Sequence, residues 1–294
     1  MSGPMKKPRA VYPEEEYVPE EEDEEMEQDE MIGQTINVEF EGFPANDADF
    51  HGIKRLLQQN LRGLEVDVSG IADTIISQNY VGSVIKQVGG EEEEDDDEEA
   101  NDEMMNSEED KEEVFGVTSV INLSSRKDEA CIAGLRTALV EKSSVHASDA
   151  ANQMLREILS NESKHVGFLI SERVVNLPPQ FSLPVFESLG KEVEEAKKKK
   201  MPYNFSYLLL ISKVYKTEKK KKKKVIETEI WSNAEEEIMS EECIESFEYP
   251  VKGDTGMSGE WDEDDDQYTP YRRVLILDAG RMPEIISKVK DAVY

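Results

Sequence analysis

The chain has 294 residues, 37% of them hydrophobic, enough for a real core in one large domain or two ordinary ones, which excludes a chain disordered throughout. Its 66 acidic and 34 basic residues give a formal charge of −32. No uninterrupted apolar run approaches the roughly 18 to 20 residues that span a bilayer, and no basic amphipathic helix stands out, so no membrane association is expected.

The charge is concentrated in two places. From Glu14 to Glu30 there are 12 acids and no Lys or Arg, and from Glu91 to Glu113 there are 16 acids against the single Lys111. These runs carry −27 of the charge and leave about −5 for everything else. With almost no large aliphatic or aromatic residues they bury too little surface to offset the entropy of ordering, and both are expected to be disordered. Only Cys131 and Cys243 are present, each in a stretch that reads as helical. With a polar, Pro-rich start that lacks a signal peptide, they point to a reducing compartment.

Taken in chain order, residues 1–31 read as a tail. Ile36, Val38 and Phe40 alternate with polar neighbours and predict a first strand. Asp49 is placed to cap a helix bearing Ile53, Leu56, Leu57 and Leu61, and a second helix surrounds Ile71, Ile75 and Ile76. A short strand over Gly82 to Val88 and another over Val114 to Leu123 flank the acidic insert at 89–113, which reads as a long hairpin-type loop. Two helices follow, one through Ile132, Leu135 and Leu139, the other with the stripe Ala151, Met154, Leu155, Ile158 and Leu159. Val166 to Ile170 and Val274 to Leu277 are continuous apolar runs, as expected of central strands covered on both faces. Phe205 to Val214 is a longer strand-like run between lysine clusters at Lys197 to Lys200 and Lys219 to Lys224. A short helix of Glu235 to Glu237, an edge strand of Phe247, Tyr249 and Val251 with Pro250, and a closing helix of Ile285, Val289 and Val293 complete the pattern. This alternation predicts an α/β domain over 32–294, a mixed β-sheet flanked by helices, interrupted by the disordered acidic loop 89–113 and a Lys-rich loop 217–225.

Chemistry is sparse. His51, His146 and His165 have no partners at metal-ligand or catalytic spacing, the two cysteines lie far apart in sequence, and no HExxH, CxxC, GxSxG or P-loop occurs. No catalytic, cofactor-binding or metal-binding residue is therefore expected. Gly89 and Gly90 read as a flexible joint, because the nine acids after them would repel a polyphosphate. The acidic runs suit either a solubilising tail or a bait for basic proteins, and Ser107 with Glu108, Glu109 and Asp110 suits an acid-directed kinase. The basic runs, Lys197 to Lys200 and Lys219, Lys220, Lys221, Lys222, Lys223 and Lys224, read as a nuclear-import signal, a nucleic-acid patch or charged strand ends, with import assigned to the second run. They lack the interleaved aromatics of a base-stacking surface, and direct nucleic-acid binding is not expected. Partner binding is assigned to the corner from Val174 to Phe181, with Leu177 and Phe181, joined by Trp231, Glu235, Glu236 and Glu237 into an apolar and acidic patch. The alternative is that Leu177, Phe181 and Trp231 serve the core.

Ordered blocks carry a resemblance that spans nearly the whole chain beyond the tail. INVEFEGF from Ile36, IISQNYVGSVIKQ ending at Gln87, VFGVTSVINL from Val114 and VGFLISERVVNLPPQFSLPVFESL from Val166 resemble the BCCIP family, named for binding a breast-cancer susceptibility protein and a cyclin-dependent-kinase inhibitor. FSYLLLISKVYK from Phe205, WSNAEEEIMSEE from Trp231, GEW from Gly259 and TPYRRVLIL from Thr269 extend the match. The resemblance implies a single GNAT-like domain, similar to acetyltransferases but without their activity, and the Q/R-x-x-G-x-G/A turn that grips acetyl-CoA is missing here. It also implies a chaperone for a basic ribosomal protein of the large subunit, working in the nucleus and cytoplasm. A scaffold in DNA repair and cell-cycle control, binding the two named partners, is the alternative, and a GNAT-like acetyltransferase the third. The long lysine run departs from the family pattern.

Overall fold

Side chains alternate across the interior strands into two apolar layers, and that division sets the architecture. The structure, a computed structural model, describes residues 39–88, 113–174, 177–221, 224–252 and 268–293, with the backbone alone for 218–227. The tail 1–31 lies outside the described residues, as do Ile36 and Val38 of the expected first strand.

Strand β1 (Glu39–Phe43) pairs antiparallel with β2 (Gly82–Val88), Glu39 opposite Val88 and Phe43 opposite Val84. Helices α1 (Phe50–Asn60) and α2 (Val68–Ser77) connect them. Asp49 does not cap α1 as expected. Its carboxylate accepts from the Asn46 N–H at 2.9 Å and pairs with Lys86 Nζ at 2.6 Å, closing a short 3-10 turn ahead of the helix. Asp67 caps α2, accepting from the Gly70 N–H at 3.0 Å.

Strand β3 (Gly116–Asn122) is buried throughout and runs antiparallel to β2, so the acidic insert joins neighbouring strands; residues 89–112 lie outside the described residues. Helices α3 (Ala130–His146) and α4 (Asp149–Ser160) follow, the second capped by Ser148, whose hydroxyl accepts from the Ala151 N–H at 3.1 Å. Ala151, Leu155, Ile158 and Leu159 of the expected stripe are buried and Met154 is half-buried. Strand β4 (His165–Arg173), α5 (Ser182–Lys198), β5 (Phe205–Lys221), β6 (Lys224–Trp231), α6 (Ala234–Glu241), β7 (Glu245–Pro250), β8 (Thr269–Asp278) and α7 (Met282–Val293) complete the chain.

The sheet order is β1-β2-β3-β4-β5-β8-β7, with β6 on the remaining stretch of β5. Among the described residues only β4 and β5 are parallel, so the sheet is mixed as expected but mostly antiparallel. As expected, β4 and β8 are interior and β7, with Pro250, is an edge. Helices α1 to α4 supply Ile53, Leu57, Ile71, Ile132 and Leu155 to one face, against Phe168, Ile170, Leu209, Ile211 and Val274. On the other face Phe186 and Leu189 of α5, Met239 of α6 and Ile285 of α7 cover Val120, Leu169, Leu208, Leu210 and Leu275.

Two expectations need correction. Residues 217–221 and 224–225, expected as loop, form the end of β5 and the start of β6, a strand the sequence reading lacked. Val225, Ile226, Thr228, Ile230 and Trp231 are strand formers, and this preference prevails over the lysine run beside them. Cys243 lies in the turn between α6 and β7, not in a helix.

Gly82 starts β2 at φ +115°, a conformation that L side chains rarely adopt, and a Cβ there would sit 2.4 Å from the Thr118 carbonyl oxygen. Gly82→Ala is therefore expected to destabilise the domain by about 2 kcal/mol or more, since both the strain and the backbone clash are unavoidable. Urea unfolding followed by circular dichroism checks this, and an unchanged midpoint would refute it.

Candidate partner-binding surface

The expected patch begins at the end of β4. Arg173 precedes the Pro-rich corner and is nearly buried, and its guanidinium forks onto the carboxylate of Glu235 in α6, with Nη2 to Oε2 at 2.9 Å. Glu235 and Glu236 are both fully buried, while Glu237 is exposed. The structure thus brings the corner and α6 together, but the expected ring of three exposed carboxylates is reduced to Glu237. The reason is topological. Beyond Leu169 and Leu210, β4 and β5 no longer pair, and β6 takes over the edge of β5 from Val214 opposite Trp231. Arg173 lies in this unpaired stretch of β4, and the first turn of α6 reaches it with Glu235, its buried counter-charge.

Further charges line the same stretch on the α1 side. Lys213 Nζ lies 2.5 Å from Glu172 Oε1, and Asn60 Nδ2 donates to Glu172 Oε2 at 3.2 Å and to the Ile211 carbonyl at 2.9 Å. Arg272 is fully buried and donates to the carbonyls of Gln59 at 2.7 Å and Asn60 at 3.1 Å, placing a cation on the C-terminal end of α1.

Glu236 is the odd member of this group. Burial, then the Glu235 carboxylate, pushes its carboxyl up to about 8 against an ordinary 4.5, and a bond from Asn233 Nδ2 at 2.9 Å only partly opposes the rise. A carboxyl raised in the folded state binds its proton more tightly there than in the unfolded chain. Its contribution to stability is full below about 4.5 and is lost as pH rises through about 8. Glu236→Gln is expected to be more stable than the parent at pH 8, with the advantage vanishing near pH 5. Urea midpoints at both values check the sign.

The other patch residues divide. Leu177 is buried, as the core alternative for it held, and Val175 and Asn176 of the corner lie outside the described residues. Phe181 is half-buried, packing edge-to-face on Phe40 at 5.6 Å, beside a hollow of about 470 Å³ shared with Tyr80, Ser83 and Glu192. Trp231 is half-buried as well, its ring 4.9 Å from the Arg273 guanidinium. Arg273 also forks onto Glu229 at 2.7 and 2.8 Å and reaches Glu248 at 2.7 Å, while Lys216 joins the same two carboxylates. Trp231 thus belongs to a cross-strand charge ladder over β5, β6, β7 and β8.

A larger opening was not foreseen. Between α5 and α7 lies a groove of about 810 Å³, floored by Val120, Leu169 and Leu208 and walled by Phe186, Val193 and Ile286. Its rim mixes Glu187, Glu194 and Glu195 with Lys191, Lys197 and Lys198. The residues were legible as helix and strand formers; that α5 and α7 line one groove was not. Among the described residues no three His, Cys, Asp or Glu side chains gather as a metal site, and no helix is long and apolar enough to cross a membrane. His165 Nδ1 lies 3.0 Å from Asn122 Nδ2, His51 packs on Phe50, and His146 ends α3.

The fold and these surfaces define an α/β protein with an open, mostly antiparallel sheet between two helical layers. A family model described as BCCIP matches residues 35–241. The "Protein BCCIP homolog" of Drosophila melanogaster is 41% identical over 257 residues, covering 87% of this chain and 84% of the relative. The "BRCA2 and CDKN1A-interacting protein" of Homo sapiens is 35% identical over 271 residues, covering 89% and 83%. The crystal structure of BCP1 from Saccharomyces cerevisiae superposes with a TM-score of 0.54 at 16% identity, over 92% of this chain and 93% of that one. The chain belongs to the BCCIP family, whose members are named here for interaction and not for a reaction.

Proposed function

We propose that this chain is a non-enzymatic, GNAT-like binding protein that escorts a basic ribosomal protein of the large subunit, shielding it in cytoplasm and nucleus until assembly. The observation that carries this reading is the partition of charge: −27 in two runs against a domain near neutrality. Such an arrangement suits long-range capture of a cation by the runs and shape-specific contact by the domain. The groove between α5 and α7 offers room for the apolar part of such a partner. The absence of catalysis is supported by what stands beyond the parallel pair. In open α/β sheets ligands enter outside the carboxyl ends of parallel strands, and here the buried pair of Arg173 with Glu235 stands just past the last β4–β5 pairing.

Isolation of the complex from cells at moderate salt, followed by mass spectrometry, is expected to show one dominant, near-stoichiometric basic ribosomal protein. Calorimetric titration with acetyl-CoA is expected to show no binding, and micromolar affinity would overturn the non-enzymatic reading. A second reading, a scaffold in DNA repair and cell-cycle control, is favoured by the names of relatives that interact with BRCA2 and CDKN1A. Recovery of proteins of those two kinds in place of the ribosomal protein would select it.

A further inference from the structure

We infer that the β5–β6 hairpin is a basic arm that binds the sugar–phosphate backbone of RNA. The last pairing of β5 with β8 is Lys216 with Thr269, yet β5 and β6 continue together for five more pairs, from Thr217 with Thr228 to Lys221 with Lys224. A two-stranded ribbon therefore runs on past the sheet and ends in lysines.

Its register sorts the charges. Positions on a strand alternate between faces, and directly opposed positions share one. One face of the ribbon thus holds Lys216, Glu218 and Lys220 with Val225, Glu227 and Glu229, acids and bases together. The other holds Thr217, Lys219 and Lys221 with Lys224, Ile226 and Thr228, and has no acid at all. There Lys221 stands directly opposite Lys224. The register thus gathers positive charge at the far end of the ribbon. A narrow cationic ribbon without aromatics fits phosphates and not stacked bases, so the arm holds RNA without reading its sequence. The proposal departs from the expectation of no direct nucleic-acid contact, and it does not depend on the escort reading.

The test is fluorescence anisotropy of a labelled RNA duplex titrated with the full chain at 50 and 200 mM salt. The comparison is Lys219→Thr, Lys221→Thr and Lys224→Thr combined, the three lysines of the acid-free face, which keeps strand-forming residues in the ribbon. The combined variant is expected to bind at least tenfold more weakly at the lower salt. Its logarithmic salt slope should be shallower by about 3, from three fewer phosphate contacts. The same three positions changed to Arg are expected to retain affinity, which separates charge from fold. Deleting Glu14 to Glu30 and Glu91 to Glu112 is expected to tighten RNA binding, because the chain's own acids compete for the arm. No measurable binding by the parent, or equal affinity in the Thr variant, overturns the proposal. So does loss of nuclear accumulation in the Thr variant with RNA affinity unchanged, which would make the arm an import signal alone.

Discussion

Glu235→Ala is expected to cost about 3 to 5 kcal/mol, because it leaves the Arg173 guanidinium buried without its counter-charge. Arg173 is 8% exposed and Glu235 fully buried, so water cannot take the place of the lost carboxylate. Against a total stability of about 5 to 15 kcal/mol for a domain, a loss of this size places the variant at the margin of folding. Glu237→Ala, two residues on and exposed, is the control and should stay within about 0.5 kcal/mol of the parent. Urea unfolding at neutral pH separates the two. Were Glu235 a surface residue of a docking patch, both variants would melt alike, and that outcome would refute the assignment. Replacing Arg173 and Glu235 together by apolar residues should recover much of the loss, since a buried pair is worth little net of its desolvation.

Removing Glu14 to Glu30 and Glu91 to Glu112 together is expected to slow association with the basic partner by at least tenfold at low salt. The same deletion should flatten the dependence of the association rate on salt while leaving the dissociation rate nearly unchanged. The deleted residues hold 27 acids against one Lys, −26 of the formal −32, so without them the chain loses most of its long-range field. Stopped-flow mixing across 50 to 300 mM salt measures both rates. A change confined to dissociation would sink the division between capture by the runs and grip by the domain.

Elements with a strong periodic signal were legible in the sequence. The stripe of α4 and the apolar runs of β4 and β8 name their own buried faces, because their apolar positions match the period of the element. The strand β6 was obscured by the lysines before it, although its β-branched residues carried the signal. The candidate surface was harder to read. Glu235 meets Arg173 across 62 positions, and a carboxylate on a short polar helix looks solvated until its partner is known. One clue was present: Glu172, Arg173 and Lys213 extend or interrupt strands otherwise fit for burial, and charges in such places require buried partners. The lysine arm was legible as a motif, but only the register showed that its acids fall on the opposite face.

The parallel junction has a consequence for biosynthesis. Every strand on the β1 side of it comes from residues 39–173, and every strand on the other side from residues 205–278. A ribosome therefore delivers a complete half-sheet before any of its counterpart exists. Until Phe205 to Leu210 emerge, the edge of β4 has open amides and carbonyls, and the apolar residues due to meet β5 are wet. Nascent chains at this stage are the form most prone to pair edge to edge with one another. Closure of that edge by β5, locked when α6 brings Glu235 to Arg173, is the step that ends the exposure.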